Sequence, residues 1–161
     1  MRNWFREGFY VGLTLAFALA IYLIWLWGAE HQVRLHTSHL LQAMESKSWP
    51  KFATFVADDY QDQWNQDRAL VLERARSVFG YLRGVHVEAM NPTVQVENGV
   101  GKWQANIKLE TSDNEFAGII KERVNSLPTP FILQWRRGGK PWDWKLVRVS
   151  NPALEIPAGF E

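Results

Sequence analysis

Residues 85–110 read VHVEAMNPTVQVENGVGKWQANIKLE, and their hydropathy pattern decides the fold. Val85, Val87 and Ala89 alternate with His86, Glu88 and Met90. Apolar and polar residues alternating at period 2 mark a half-buried strand. At Asn91-Pro92 the phase slips, and Val94 and Val96 take over the apolar positions. A proline at a phase slip predicts a bulge in one long strand. Asn98-Gly99 is a strong hairpin signal. The return strand puts Trp103, Ala105, Ile107 and Leu109 on one face. Lys102, Gln104, Asn106, Lys108 and Glu110 take the other.

Toward the C-terminus, Ser112-Asp113-Asn114-Glu115 has the form of a capping box. Phe116, Ile119, Ile120 and Val124 then suggest a short helix, with an irregular strand over residues 113–127 as the alternative. Phe131, Leu133 and Trp135 alternate again, Gly138 to Pro141 turns the chain, and Trp142, Trp144 and Leu146 lead the last strand. Val147 and Val149 follow another phase change, and residues 151–161 read as an irregular tail.

Toward the N-terminus the period becomes helical. Asp67 precedes a stripe of Val71, Ala75, Val78, Phe79 and Leu82, with Gly84 as the stop. Ser48-Trp49-Pro50 opens a shorter helix with Phe52, Phe55 and Val56 on one face, and it leaves through an acidic stretch, Asp58 to Asp62. Residues 30–47 carry Val33, His36, Leu40 and Met44 near helical spacing. Three helices followed by a curved antiparallel sheet predict one α+β domain over residues 30–150.

Before it lies GFYVGLTLAFALAIYLIWLWGA, residues 8–29, without a charge or a proline. As a helix it is about 33 Å long, enough to cross a hydrocarbon core of roughly 30 Å. It reads as an uncleaved signal anchor. The run exceeds the h-region of a signal peptide, and Trp27 occupies the position where cleavage after Ala29 needs a small residue. Gly8, Gly12, Ala16 and Ala20 recur in fours and predict a surface that packs on another membrane helix. Arg2 and Arg6 against Glu7 give a small bias toward a cytoplasmic tail, residues 1–7, with the domain on the periplasmic or extracytoplasmic side of an inner membrane. Only Gly28 breaks helix propensity between Gly8 and Lys47, so the anchor is expected to run directly into the first domain helix.

Beyond the tail and span, 16 basic and 16 acidic residues balance. A nucleic-acid partner needs a basic face, and none is expected. The densest basic group, Arg136-Arg137 with Lys140, sits at a turn. The absence of cysteine fits either redox compartment.

The element order, the Trp49-Pro50 to Asp59 helix with its acidic exit and the final Phe131–Val149 hairpin resemble the nuclear transport factor 2-like superfamily. This is also called the SnoaL-like or cone-shaped fold. The resemblance covers roughly Glu30 to Ser150. It implies helices packed on the concave face of a bent sheet. In enzymes of this fold, such as ketosteroid isomerase and limonene epoxide hydrolase, Asp, Tyr, Arg or His stand inside the cone. The assembly factor of type IV secretion systems is similar in having one span and a periplasmic cone domain. This chain departs from it in its very short tail and smaller domain, and the secretion role is not carried over.

The inner face inferred for the strands holds no ionisable group, which points away from catalysis. Asp58, Asp59 and Asp62 read as a solvated loop, and His36 and His39 lack companions for a metal site. No cofactor is expected. An apolar cavity, if present, would be lined by Trp103, Phe131, Trp135, Trp142, Trp144, Tyr60 and Tyr81. Two functions follow. One is a non-catalytic accessory or assembly subunit, held in the lipid and associated with a membrane protein or a copy of itself. The other is a membrane-tethered binding domain or enzyme for a small apolar molecule.

Overall fold

The structure, a computed structural model, describes residues 2–26, 28–112 and 115–154, with side chains from residue 10 to 24 and through the two later stretches. Among the described residues the chain forms five helices and four strands. They are α1 Arg2–Leu26, α2 Ala29–Glu45, α3 Trp49–Phe55, α4 Arg68–Tyr81, β1 His86–Glu97, β2 Val100–Glu110, α5 Glu115–Asn125, β3 Phe131–Arg137 and β4 Trp144–Ser150. The strands form an antiparallel sheet in the order β1-β2-β3-β4.

The local signals act where their chemistry requires. Asn98 and Gly99 both take positive φ, 50° and 77°, the turn that matches the twist of flanking strands. The β1 register shifts between Met90 and Thr93, with Asn91 at φ 51°, so the slip at Asn91-Pro92 is a bulge. Asp67 caps α4 by accepting from the Leu70 N–H at 2.8 Å. Residues 115–125 are helix rather than strand, while Asp113 and Asn114 of the expected capping box lie outside the described residues. The expected irregular tail is described only to Leu154. There Asn151 is fully buried, so packing continues past Ser150.

Val33, Leu40 and Ala43 of α2 face Val94, Trp103, Ala105, Leu133, Trp135 and Trp144 of the sheet, with Phe52 and Val56 joining them. A smaller cluster of Leu82, Leu109 and Ala117 closes the far end. α2 crosses the sheet from end to end. Val33 sits against Gly101 and Trp144 near one end, and the Glu45 carboxylate accepts from the Val87 N–H at 2.6 Å near the other.

The expected continuous helix from anchor to domain is not what forms. α1 ends at Leu26, Gly28 stands outside α2 at φ −53°, ψ 127°, and the two helices bend by 62°. Glycine accepts the extended ψ at little cost, so the one weak position becomes the joint. Among the described residues no single helix is long and apolar enough to cross a membrane. The apolar stretch Tyr10–Ile24 and Ala29–Glu45 pass that test only as a bent pair. Val11, Leu13, Leu15, Phe17, Leu19, Ile21 and Ile24 are all more than half exposed, on every side of α1. Among the described residues nothing would touch a Cβ placed on Gly12, and Ala16 and Ala20 are exposed. The surroundings of Gly8 fall outside the described residues.

Candidate functional site

An apolar cavity of about 850 Å³ lies between the sheet and α4. Leu40 and Met44 of α2, Val71, Ala75 and Val78 of α4, Ile120 and Val124 of α5, and Ile107, Phe131 and Leu133 of the sheet line it. It exists because α4 stands off the sheet. No residue of α4 is buried, and its apolar stripe is only partly covered: Val71, Leu72 and Ala75 touch the main core from one side and leave the rest of the space open. The volume falls in the range of about 300–1,000 Å³ typical of small-molecule sites.

One polar segment enters this cavity. After α3, residues 57–63 run along β4, the Ala57, Gln61 and Gln63 N–H groups donating to the Leu146, Val147 and Val149 carbonyls. An extended segment sends alternate side chains to opposite sides. Tyr60 and Asp62 thus turn inward together, and both line the cavity. Asp62 Oδ1 accepts from the Trp64 N–H at 2.8 Å and the Gln66 N–H at 2.9 Å. Gln63 and Asn151 tie the segment down, the Gln63 amide donating to the Asn151 carbonyl at 2.7 Å and accepting from its N–H at 3.0 Å. The Tyr60 hydroxyl is buried, and the Asp62 carboxyl stands close enough to interact with it.

Burial first, and the Asp62 charge second, push the Tyr60 phenol above its ordinary range. It therefore remains a proton donor. Burial also raises the Asp62 carboxyl, against the pull of the Gln66 and Trp64 N–H groups. The result is a largely apolar chamber whose lining also includes Tyr60, Asp62, Gln66, Glu73, Arg74 and Ser77, suited to a molecule with an apolar body and a polar end.

This placement corrects several expectations. Asp62 is not part of a solvated loop: it is 4% exposed, because its turn folds beneath α4 instead of leaving the domain. The cone does hold ionisable groups, Tyr60 and Asp62 from the segment before α4 and Glu73 and Arg74 from α4, and the strand residues in its lining carry none. Asp58 and Asp59 are exposed as expected. Asp59 takes both Arg136 guanidinium nitrogens at 2.9 and 2.6 Å, which lowers its pKa, but solvent weakens such a pair. Of the seven residues expected around a cavity, only Tyr60 and Phe131 line it. Trp103, Trp135 and Trp144 are packed core, because α2 lies directly on them. Trp142 follows Pro141 in the β3–β4 loop, half exposed, and Tyr81 is 69% exposed at the end of α4 beside Phe116. His36 packs edge-on against Phe55 and Trp135, with Nδ1 2.8 Å from the Gln32 carbonyl, and burial lowers its pKa. Among the described residues no group of His, Cys, Asp or Glu is arranged to hold a metal.

Neither a protein-family model nor a curated protein matches the sequence. Solved structures do. An NTF2-like (nuclear transport factor 2-like) protein of unknown function from Pseudomonas putida is similar over 75% of this chain and 83% of its own, with 16% identity and a TM-score of 0.58. An NTF2-like protein from Cytophaga hutchinsonii is similar over 76% and 95%, with 13% identity and a TM-score of 0.54. Bd1075 of Bdellovibrio bacteriovorus is similar over 73% of this chain at 11% identity and a TM-score of 0.57, and this chain spans only 38% of its length. At these identities the likeness establishes the fold. The described residues from Ala29 to Leu154 adopt the cone-shaped, nuclear transport factor 2-like α+β arrangement.

Proposed function

We propose that this chain is a membrane-anchored cone domain that holds a small, uncharged, apolar molecule in the cavity beneath α4. The observation that carries the reading is the cavity itself, about 850 Å³ of largely apolar space with Tyr60 and Asp62 in its wall. The anchor is supported by α1. A helix apolar on all sides needs lipid or protein around it, and the described residues leave Val11, Leu15 and Phe17 exposed.

The test is site-resolved photolabelling of the full chain in a bilayer with a diazirine-bearing long-chain alcohol. Crosslinks are expected on α4 and β3, at residues such as Val71 and Phe131. They should fall at least tenfold in Ala75→Phe, which fills the chamber, where about 1.4 kcal/mol of lost affinity corresponds to tenfold. Labelling confined to α1 peptides would end the binding reading.

A second reading, the accessory subunit, draws on the same exposed α1 and its small residues Gly12, Ala16 and Ala20. Here Gly12→Ile should weaken association of the chain with itself or with a co-purifying membrane protein, as measured by sizing in mild detergent. Leu15→Ile is the control, and equal association of both variants with wild type would exclude that face.

A further inference from the structure

We infer that the β3–β4 hairpin tip, residues 136–145, is a membrane-contacting surface that rests on anionic lipid headgroups. The inference depends on α1 being the membrane anchor. The tip reads RRGGKPWDWK, with four basic side chains against the single acid Asp143. Trp142 is 49% exposed, with the Lys140 ammonium over its ring at 5.9 Å. Arg137 and Lys140 are exposed, while Arg136 is engaged by Asp59. An amphipathic ring flanked by lysine and arginine is what the headgroup region of a bilayer accommodates.

Position supplies the second argument. The Arg137 N–H donates to the Gly99 carbonyl at 2.9 Å, joining this tip to the β1–β2 turn at one end of the sheet. At that same end Gly101 and Trp144 receive Val33, the fifth residue of α2. Lys140, Trp142 and Lys145 also share a second, smaller cavity with His36 of α2 and Phe55 of α3. Val33 lies about 6 Å along the helix from Ala29, where α2 begins after the joint with α1. The tip therefore stands on the side of the domain where the chain leaves the anchor. The opposite end, about 26 Å away along β2, carries α5 and the cluster of Leu109, Leu82 and Ala117.

The chain has no cysteine, so single labelling sites can be introduced cleanly. Gly139→Cys places an environment-sensitive fluorophore on the tip, where nothing lies within 4 Å of the new side chain. Ile119→Cys, exposed on α5, reports from the far end. The full chain is reconstituted in nanodiscs of phosphatidylcholine, alone or mixed with phosphatidylglycerol, each with brominated acyl chains as quencher. The probe at 139 should be quenched in the anionic discs and the probe at 119 should not. Arg137→Gln and Lys140→Gln should each lower the docked-to-undocked ratio about fivefold, the equivalent of ~1 kcal/mol per basic residue at an anionic surface. A probe at 139 as unquenched as that at 119 in both lipids overturns the proposal, and equal quenching in both overturns its assignment to anionic headgroups. If the chain does not integrate into nanodiscs at all, the anchor itself fails and this surface falls with it. Integration with an unquenched tip removes only the surface.

Discussion

Trp103→Ala is expected to lower the stability of the domain by about 3–5 kcal/mol, the usual cost of truncating a buried aromatic. Trp103 is 3% exposed in the middle of β2, opposite Val94 of β1 and Leu133 of β3. Its indole lies in the cluster with Val33, Trp135 and Trp144, so its removal leaves a hole bounded by α2 on one side and the sheet on the other. Those walls are held by strand ladders on both sides of β2 and cannot collapse inward freely. A domain stable by about 5–15 kcal/mol loses a large part of its margin. Urea unfolding of the full chain in mild detergent, followed by circular dichroism, measures the loss. Trp142→Ala is the matched control, because its ring is half exposed, and it should change stability by less than about 0.5 kcal/mol. Similar losses for both would mean that β2 does not carry the core.

The same contrast explains how much of the molecule was legible in its sequence. Period 2 around Trp103, Ala105 and Leu109 identifies the buried face, because each strand must turn one side to the helices. Asn98-Gly99 and Asn91-Pro92 announce the turn and the bulge, because few residues accept those backbone angles. These are local constraints, and local sequence carries them. Trp142 was placed inward by extending the alternation of Trp144 and Leu146 one step too far, into the loop that Pro141 opens. The cavity was misplaced for a different reason. Alternation tells which face a residue occupies, not which part of that face a helix covers. α2 covers the end bearing Trp103, Trp135 and Trp144, and α4 leaves the part near Phe131 and Ile107 open. Asp62 was illegible because its burial depends on residues 57–63 pairing with β4, some 85 positions later in the chain. One local hint existed: Asp62 stands three residues before Asn65, which takes φ 58°, a sequence suited to a side-chain-capped turn.

The second large effect is expected at Gly101, where Gly101→Ala should destabilise by about 1–3 kcal/mol, the range for overfilling a packed site. The backbone there is ordinary, without positive φ, so alanine meets no conformational penalty. The obstacle is space. A Cβ on Gly101 would run into the Val33 side chain and come within 3.3 Å of the Trp144 ring. Val33 is fully buried and Trp144 is 1% exposed, so neither has an open side toward which to retreat. Val33 is also β-branched and stiff in a helix, which leaves rigid displacement of α2 as the main relief. That displacement moves the helix that joins the domain to α1. The double variant Gly101→Ala with Val33→Ala separates this mechanism from a general intolerance of β2. If the clash is the cause, the pair should be more stable than the sum of the two single losses predicts, with a coupling of about 0.5–3 kcal/mol. Strict additivity would show that the added methyl is not opposed by Val33 and that α2 does not sit this closely on the sheet.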